Sequence, residues 1–326
     1  MTDQDRADLD ARITAWLADG ALSGRRIEQA WTLSGGYRNH NVLLVTDTGE
    51  KYVLRRFLHG NTCAIEAALA DRLMGVAPVA EVIAADPHGA TAGQPVMLSR
   101  FVPGVLLCEA LHTASGEEAR QLGHAVGVAL AAIGTVTFPQ PGFFSDPDLT
   151  PGPDGMEPTA ELPAFIERCL RTGNAHHALT PAEHDALLRH ADRCAPLLAT
   201  VRGARQLVHS DFNPKNLLTT RRNGKWAITA VLDWEFAFAS SPLFDVGNML
   251  RFGHEFPSTF AAGFTAGFGD ARGSLPRDWR RISQALDLFA LGDFLTRPPD
   301  NPFFRKAVTL IRQRLQPTSG REIPSA

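Results

Sequence analysis

The chain has 326 residues, of which 44% are hydrophobic and 21% charged, as in a folded globular protein with a large core. Its 32 basic and 35 acidic residues nearly balance, and no basic stripe with interleaved aromatic residues stands out, so nucleic acid is not expected as a partner. The first residues are polar and acidic and no apolar run approaches a membrane span, which predicts a cytoplasmic location and no membrane partner.

The first third of the chain is predicted to contain one leading helix and then a strand-rich unit. Apolar residues at helical spacing predict a helix over 4–19. Five strands and one helix follow: the strands are expected at 27–33, 41–46, 51–57, 80–85 and 95–102, and the helix at 61–74. Val102-Pro103-Gly104 then breaks the pattern, so we expect a hinge there.

The rest of the chain is predicted to be mostly helical. The helices are expected at 115–134, 161–172, 180–200, 243–253, 256–268, 278–296 and 302–315. Two strands, 217–220 and 226–232, interrupt them. We therefore predict an α+β, bilobal fold with a small antiparallel β-rich lobe over 1–102, a larger helical lobe over 103–316 and a frayed tail over 317–326.

One segment of the helical lobe carries a pattern typical of phosphoryl transfer. An apolar strand edge leads into Asp211, Asn216 follows in the same loop, and a second strand ends at Asp233. The reaction needs one carboxylate to orient a hydroxyl and accept its proton, and an amide oxygen plus a second carboxylate on Mg²⁺. We predict Asp211 as the base, Asn216 and Asp233 as Mg²⁺ ligands, and His209 as a residue that orients the loop by hydrogen bonding.

Two neighbouring side chains keep alternative interpretations. Glu235 is either an auxiliary metal ligand or an exposed structural carboxylate. Lys215 could stabilise charge on the transferring phosphoryl group, but a solvated lysine fits equally, and we leave it out of the catalytic set.

A glycine-containing loop between the first two strands is a candidate phosphate cradle. It reads Ser34-Gly35-Gly36-Tyr37-Arg38-Asn39, and its two glycines let backbone N–H groups approach phosphates. Alone this signal is weak, since most such turns are only hairpins and no complete Gly-x-Gly-x-x-Gly or Walker pattern occurs. Its order ahead of the other motifs gives it weight.

Further nucleotide contacts are predicted from positions along the small lobe. Arg55 stands where protein kinases carry a phosphate-binding lysine, and arginine can hold phosphates bidentately. Glu66 in the following helix is its predicted ion-pair partner, with a plain helix-surface carboxylate as the alternative. Backbone groups around Arg100 and Val102 are predicted to meet the nucleobase.

Together these residues resemble those of the aminoglycoside phosphotransferase and choline-kinase-like family of small-molecule kinases. The resemblance covers about 27–253 and includes the segment 242–248, where it implies a structural role for Asp245. It further implies a protein-kinase-like fold, ATP or occasionally GTP as donor, Mg²⁺, and a hydroxyl on a small metabolite or antibiotic as acceptor. Ser240-Ser241-Pro242 departs from the family's glycine-acid-proline, and the Ala-Pro-Glu segment of protein kinases is missing, which argues against a protein substrate.

The predicted function is therefore ATP-dependent transfer of the γ-phosphoryl group to a small molecule, such as an aminoglycoside, a peptide or nucleoside antibiotic, or a metabolite. The acidic stretch 138–163 would suit a cationic acceptor, although a solvated acidic loop explains it equally. The alternatives are a non-catalytic nucleotide-binding module with a kinase fold, which Arg55 would allow, and a protein kinase. The residues indicate neither the acceptor nor an oligomeric state.

Overall fold

The computed structural model of the chain describes residues 7, 9–33, 39–152, 161–273 and 275–316. Most of the predicted phosphate cradle, residues 34–38, lies outside the described residues. The same holds for the predicted tail, 317–326, and for 153–160 of the acidic stretch.

A five-stranded antiparallel sheet forms the small lobe. Its strands are β1 (Ile27–Leu33), β2 (Asn39–Thr46), β3 (Lys51–Phe57), β4 (Val82–Asp86) and β5 (Val96–Arg100), in the order β1-β2-β3-β5-β4. Helix α2 (Cys63–Leu73) packs on β4 and β5. Apolar side chains at alternate positions, such as Tyr52 and Leu54 of β3, point into the lobe's core because successive residues of a strand face opposite sides.

The leading helix is shorter than the sequence predicted. Helix α1 covers Ala11–Trp16 and continues into a π-helical turn, Leu17–Ala21. The Asp10 carboxylate accepts the backbone N–H of Arg12 and caps the helix, so the prediction of a helix from residue 4 is wrong for the described residues 7, 9 and 10. The buried Ile13 and Leu17 hold this segment on the small-lobe core.

Residues 101–104 connect the sheet to the large lobe without helix or strand. The large lobe contains β6 (Val105–Leu106), α3 (Leu107–Thr113), α4 (Gly116–Ile133), β7 (Gly142–Phe143), α5 (Leu162–Thr172), α6 (Pro181–Leu198), β8 (Gln206–Val208), β9 (Leu217–Arg222), β10 (Lys225–Val231), β11 (Phe238–Ser240), α7 (Leu243–Leu250), α8 (Thr259–Arg272), α9 (Trp279–Phe294) and α10 (Pro302–Leu315). All seven predicted helices are present. The pattern missed α3 and the short strands β6, β7 and β11, because two or three residues show no periodicity. The division into domains at residue 102 stays a prediction.

Two small sheets of the large lobe fix the loops that carry the predicted catalytic residues. β8 pairs with β11, which also pairs with β7, while the β9–β10 hairpin pairs with β6. The segment 209–216 runs from β8 to β9, and Asp233 comes directly after β10. The N–H of Leu232 donates to the carbonyl of Asn216 at 2.8 Å, so the two loops lie side by side.

Helices α4 and α8 touch backbone to backbone. Gly123 and Gly127 of α4 face Gly263 and Gly267 of α8. A Cβ added at Gly127 would lie 2.2 Å from the carbonyl oxygen of Phe264, and the other three sites are equally closed. Glycines four residues apart on one helix face permit this contact. None of the helices in the described parts of the chain is long and apolar enough to cross a membrane.

The closed interface predicts a strong position dependence for glycine-to-alanine substitutions. Gly127→Ala is expected to destabilise the protein by about 1–3 kcal/mol, since the new methyl group must push the two helices apart. Gly269→Ala, also on α8, meets no atom within 4 Å and should be neutral or stabilising by up to about 1 kcal/mol. Urea unfolding of both variants checks this, and equal losses would contradict the packing argument.

Candidate active site

The carboxylate of Asp211 is held by two side-chain amides of its own loop. Asn213 Nδ2 donates to Asp211 Oδ1 at 2.8 Å, and Asn216 Nδ2 donates to Asp211 Oδ2 at 2.8 Å. Each carboxylate oxygen has further lone-pair capacity, so the half-buried group can still accept a proton from a hydroxyl. The two amides fix its direction without neutralising it.

His209 joins the two loops as a neutral, fully buried side chain. Its Nε2 lies 2.8 Å from the carbonyl oxygen of Leu232, and its Nδ1 accepts the backbone N–H of Asp211 at 3.2 Å. This partner set assigns the proton to Nε2. Burial lowers the pKa of His209, against the opposing charge of Asp211. These contacts fit a residue that orients the loop, and that role stays a prediction.

Asp245, in the first turn of α7, anchors the backbone that precedes Asp211. Its two oxygens accept the N–H groups of His209 at 2.7 Å and of Ser210 at 2.8 Å, and its side chain is wholly buried. Asn248 Nδ2 donates to the carbonyl of Ser210 at 2.7 Å. Ser210 has φ +71°, which is costly for a non-glycine residue and persists only where its surroundings enforce it. The arrangement agrees with the structural role expected for Asp245.

Asn216 and Asp233 offer the oxygen ligands that Mg²⁺ prefers. Because Asn216 uses its Nδ2 on Asp211, its Oδ1 is the atom left for coordination. In the described parts of the chain no group of three or more His, Cys, Asp or Glu side chains could hold a metal ion. Two protein oxygens fit an ion that is otherwise bound by water and nucleotide phosphates, so the residues present are compatible with Mg²⁺.

Arg55 of β3 is buried between two carboxylates. Its Nε lies 3.5 Å from Glu66 Oε2, and its terminal nitrogen forms a short ion pair with Asp233 Oδ1. The predicted Arg55–Glu66 pair is therefore present, and the surface-carboxylate alternative is wrong because Glu66 is only 4% exposed. Burial opposes the charged form of Arg55, but Glu66 and Asp233 raise its pKa on balance. A contribution of the pair to nucleotide binding stays a prediction.

The pairing of Arg55 with Asp233 was not predicted from the sequence. It brings the strand of the small lobe onto one of the two predicted metal ligands, across 178 positions of the chain. A second such contact lies nearby, where Asn39 Nδ2 donates to Glu235 Oε2 at 3.2 Å. Glu235 thus makes a structural contact, and Asn39 is the described end of the predicted phosphate cradle.

The remaining predicted positions are placed as follows. The N–H of Arg100 already donates to the carbonyl of Glu81 at 2.8 Å, and its exposed guanidinium binds the Glu81 carboxylate at 2.7 Å. Val102, half-buried in the connection between the lobes, is left as the candidate for a nucleobase contact. Lys215 is exposed, with Nζ 5.4 Å from the ring centre of Phe303.

The described part of the acidic stretch contains a structural carboxylate. Asp146 Oδ1 accepts the N–H of Thr150 at 3.0 Å and closes a turn, and this bond lowers the pKa of Asp146. Asp154 and Glu157 lie outside the described residues.

Asn213 and Asn248 were missed by the sequence interpretation. Asn213 carried a weak signal: it precedes Pro214 in the catalytic loop, and its Oδ1 accepts the N–H of Lys215 at 2.9 Å, as turn-forming asparagines do. Asn248 lies 38 positions from Ser210, so local pattern could not connect the two.

A small sheet lobe, a helical lobe, and a base and oxygen ligands on adjoining loops between them define a phosphotransferase with a kinase-like fold. The chain belongs to the phosphotransferase enzyme family, whose model matches residues 31–284. The family resemblance, the fold class and the assignment as a small-molecule phosphotransferase are thereby confirmed.

Solved structures with the same fold include three aminoglycoside phosphotransferases. A thermostable mutant of APH(4)-Ia, in a ternary complex with AMP-PNP and hygromycin B, has 18% identity and a TM-score of 0.66, with 96% of this chain and 100% of that chain covered. The streptomycin–ATP complex of APH(2")-IIa has 15% identity and a TM-score of 0.62, with 94% and 97% covered. The GDP complex of an aminoglycoside 2'-phosphotransferase-IIIa mutant has 16% identity and a TM-score of 0.62, with 88% and 91% covered. No curated protein sequence matches this chain significantly.

The buried carboxylates predict opposite pH trends for stability and activity. Burial raises the pKa of Glu66 to about 7, and burial likewise raises that of Asp245 to about 7. Since both values exceed those of the unfolded chain, protonation favours the folded state, and lowering the pH from 8 to 6.5 should stabilise it by up to about 1 kcal/mol per group. The same protonation weakens the Arg55 pair and removes a loop anchor, so phosphoryl transfer should slow.

Thermal unfolding and initial rates of ADP release, measured between pH 8 and 6.5, check this. The window ends at 6.5 because buried His209, with its lowered pKa, destabilises the fold on further acidification. Glu66→Gln should lose its share of the pH dependence of stability. Parallel trends of stability and rate would contradict the prediction.

Removing Arg55 is predicted to separate stability from ligand binding. Arg55→Ala leaves Glu66 buried without its partner and should cost about 3–5 kcal/mol. The double variant Arg55→Ala/Glu66→Gln removes the buried charge and should recover most of that loss, while nucleotide affinity stays reduced at least about tenfold. Denaturant unfolding and calorimetric titration with ATP distinguish the two effects. Recovery of affinity in the double variant would exclude a direct role of Arg55 in binding.

Proposed function

We propose that this chain transfers the γ-phosphoryl group of ATP to a hydroxyl group of a small molecule. The observation that carries the proposal is the Asp211 carboxylate, fixed by Asn213 and Asn216 beside the loop of Asp233. A nucleotide-binding module needs no oriented base, whereas phosphoryl transfer needs one next to the metal ligands.

In this mechanism Asp211 accepts a hydrogen bond from the acceptor hydroxyl and aims its oxygen at the γ-phosphorus. The acceptor oxygen forms the new O–P bond while the bond from the γ-phosphorus to the bridging oxygen of ADP breaks. The hydroxyl proton passes to Asp211, and ADP leaves with the bonding electrons. Neutral His209 keeps the Asp211 backbone in place and takes no proton itself.

Asn216 Oδ1 and Asp233 would hold Mg²⁺, which neutralises charge on the nucleotide phosphates when bound. Arg55 is the protein's own cation at this position. Its guanidinium reaches Asp233 and could equally contact a phosphate oxygen, because its planar fork offers several N–H donors.

The acceptor class is proposed as a small hydroxylated molecule, with antibiotics and metabolites both included. Hygromycin B and streptomycin occur with structural neighbours, which supports the size class of the acceptor. A bound GDP in another neighbour makes GTP the donor to compare with ATP.

The base assignment predicts that Asp211→Asn lowers the rate of phosphoryl transfer by about 10²–10⁴-fold with nucleotide affinity retained. The amide keeps the shape of the side chain but cannot accept the proton. Asp192→Asn, at an exposed position of α6, is the matched control and should behave as wild type. ADP release is measured with ATP or GTP against aminoglycosides, peptide and nucleoside antibiotics, choline, homoserine and methylthioribose.

Wild-type turnover in Asp211→Asn would show that the base is assigned wrongly. Nucleotide binding with neither acceptor turnover nor ATP hydrolysis in the unaltered protein would favour the non-catalytic module. That reading has one observation behind it, since Arg55 pairs with a predicted metal ligand. Transfer to folded proteins alone would favour a protein kinase.

A further inference from the structure

A buried chain of polar side chains connects the last helix to the loop of Asp211. Arg314 of α10 donates to Asp287 Oδ2 at 2.7 Å, and Arg251 Nε donates to Asp287 Oδ1 at 2.7 Å. Arg251 also donates to Asn248 Oδ1 through a short hydrogen bond. Asn248 Nδ2 then donates to the carbonyl of Ser210 at 2.7 Å.

The chain is buried for most of its length. The Asp287 side chain is 0% exposed, that of Arg251 5% and that of Arg314 13%. Helices α7 and α9 approach closely enough for this, since a Cβ on Gly247 would lie 2.5 Å from the carbonyl oxygen of Ser283. Buried ion pairs often contribute no more to stability than apolar side chains of similar volume, so helix packing alone does not require these charges.

The geometry gives the chain a direction. An asparagine amide could point either end at Ser210, but only Nδ2 can donate to a carbonyl. Arg251, which has no acceptor atoms, takes the oxygen of Asn248 and thereby turns its nitrogen toward Ser210. Asp287 keeps Arg251 in place, and Arg314 occupies the other oxygen of Asp287.

Ser210 is the residue where such control matters. It directly precedes Asp211 and holds φ +71°, a conformation that costs a non-glycine residue about 1–3 kcal/mol. Asp245 binds its N–H, and Asn248 binds its carbonyl. Loss of either contact lets the peptide group before Asp211 rotate and redirects the carboxylate.

We infer that Asn248, Arg251, Asp287 and Arg314 form a positioning chain that sets the direction of the Asp211 carboxylate. The effect on catalysis rests on the proposed function, whereas the effect on the loop does not. None of the four is a catalytic residue, because each acts through the Ser210 backbone.

The chain is tested with two variants and one matched control. Asn248→Asp keeps the oxygen that Arg251 binds but loses the donor to Ser210. Arg314→Gln removes the far end of the chain at a partly accessible position. Arg312→Gln is the control: Arg312 lies two residues away on α10 and also binds a carboxylate and a carbonyl, those of Glu183 and Ala178, outside the chain.

Two measurements are made on the full-length protein. Hydrogen exchange followed by mass spectrometry reports on the peptide 207–216, and ADP release from MgATP without acceptor reports on chemistry. Asn248→Asp should speed exchange of this peptide about tenfold or more and lower kcat about tenfold, with KM for ATP within twofold of wild type. Arg314→Gln should shift both in the same direction but less, and Arg312→Gln should leave both unchanged.

Unchanged exchange of 207–216 in Asn248→Asp would overturn the chain, as would equal acceleration in Arg312→Gln, which would indicate general loosening of α10. Faster exchange with wild-type kcat would overturn its link to catalysis. Absence of ADP release in the unaltered protein would count against the proposed function, while the exchange comparison would still decide whether the chain positions the loop.

Discussion

The buried carboxylate of Asp245 is the interaction on which the rest of the site depends. It accepts two consecutive backbone N–H groups, and it does so with no exposed surface. Consecutive N–H groups can converge on one carboxylate only if the peptide between them is turned, which here requires the positive φ of Ser210. That turn sends Asp211 out of the core and brings the imidazole of His209 under the neighbouring loop. The anchor therefore shapes the loop before any ligand contributes.

From this anchor the two catalytic loops are joined in sequence. His209 reaches the carbonyl of Leu232, and the N–H of Leu232 reaches the carbonyl of Asn216. Asp233, one residue further, also has a positive φ of +61°. Two non-glycine residues in the left-handed region, each beside a candidate functional carboxylate, mark the places where backbone conformation is enforced for a purpose other than stability.

Sequence reasoning succeeded where the signal was local. The spacing of Asp211, Asn216 and Asp233 identified the loops because the reaction constrains both residue type and separation. Helix α4 was located closely because Ser115 and Glu118 form a capping box at its start. The end of the leading helix was misplaced because apolar spacing does not reveal which polar residue, here Asp10, caps it.

The contacts that sequence reasoning missed are long-range. The Arg55–Asp233 pair, the Asn39–Glu235 hydrogen bond and the link from Asn248 to Ser210 each join residues far apart in the chain. Their geometry depends on how the lobes and helices pack. A residue type at one position carries no information about such a partner without that packing.

The two contacts between the lobes at this site have a mechanical consequence. Arg55 and Asn39 belong to strands of the small lobe, and their partners Asp233 and Glu235 follow one strand of the large lobe. The side chains that tie the lobes together are thus the same ones that a phosphate or a metal ion would engage. Ligand binding must replace a direct tie with one that runs through the ligand, so the stiffness between the lobes is set by what occupies the cleft.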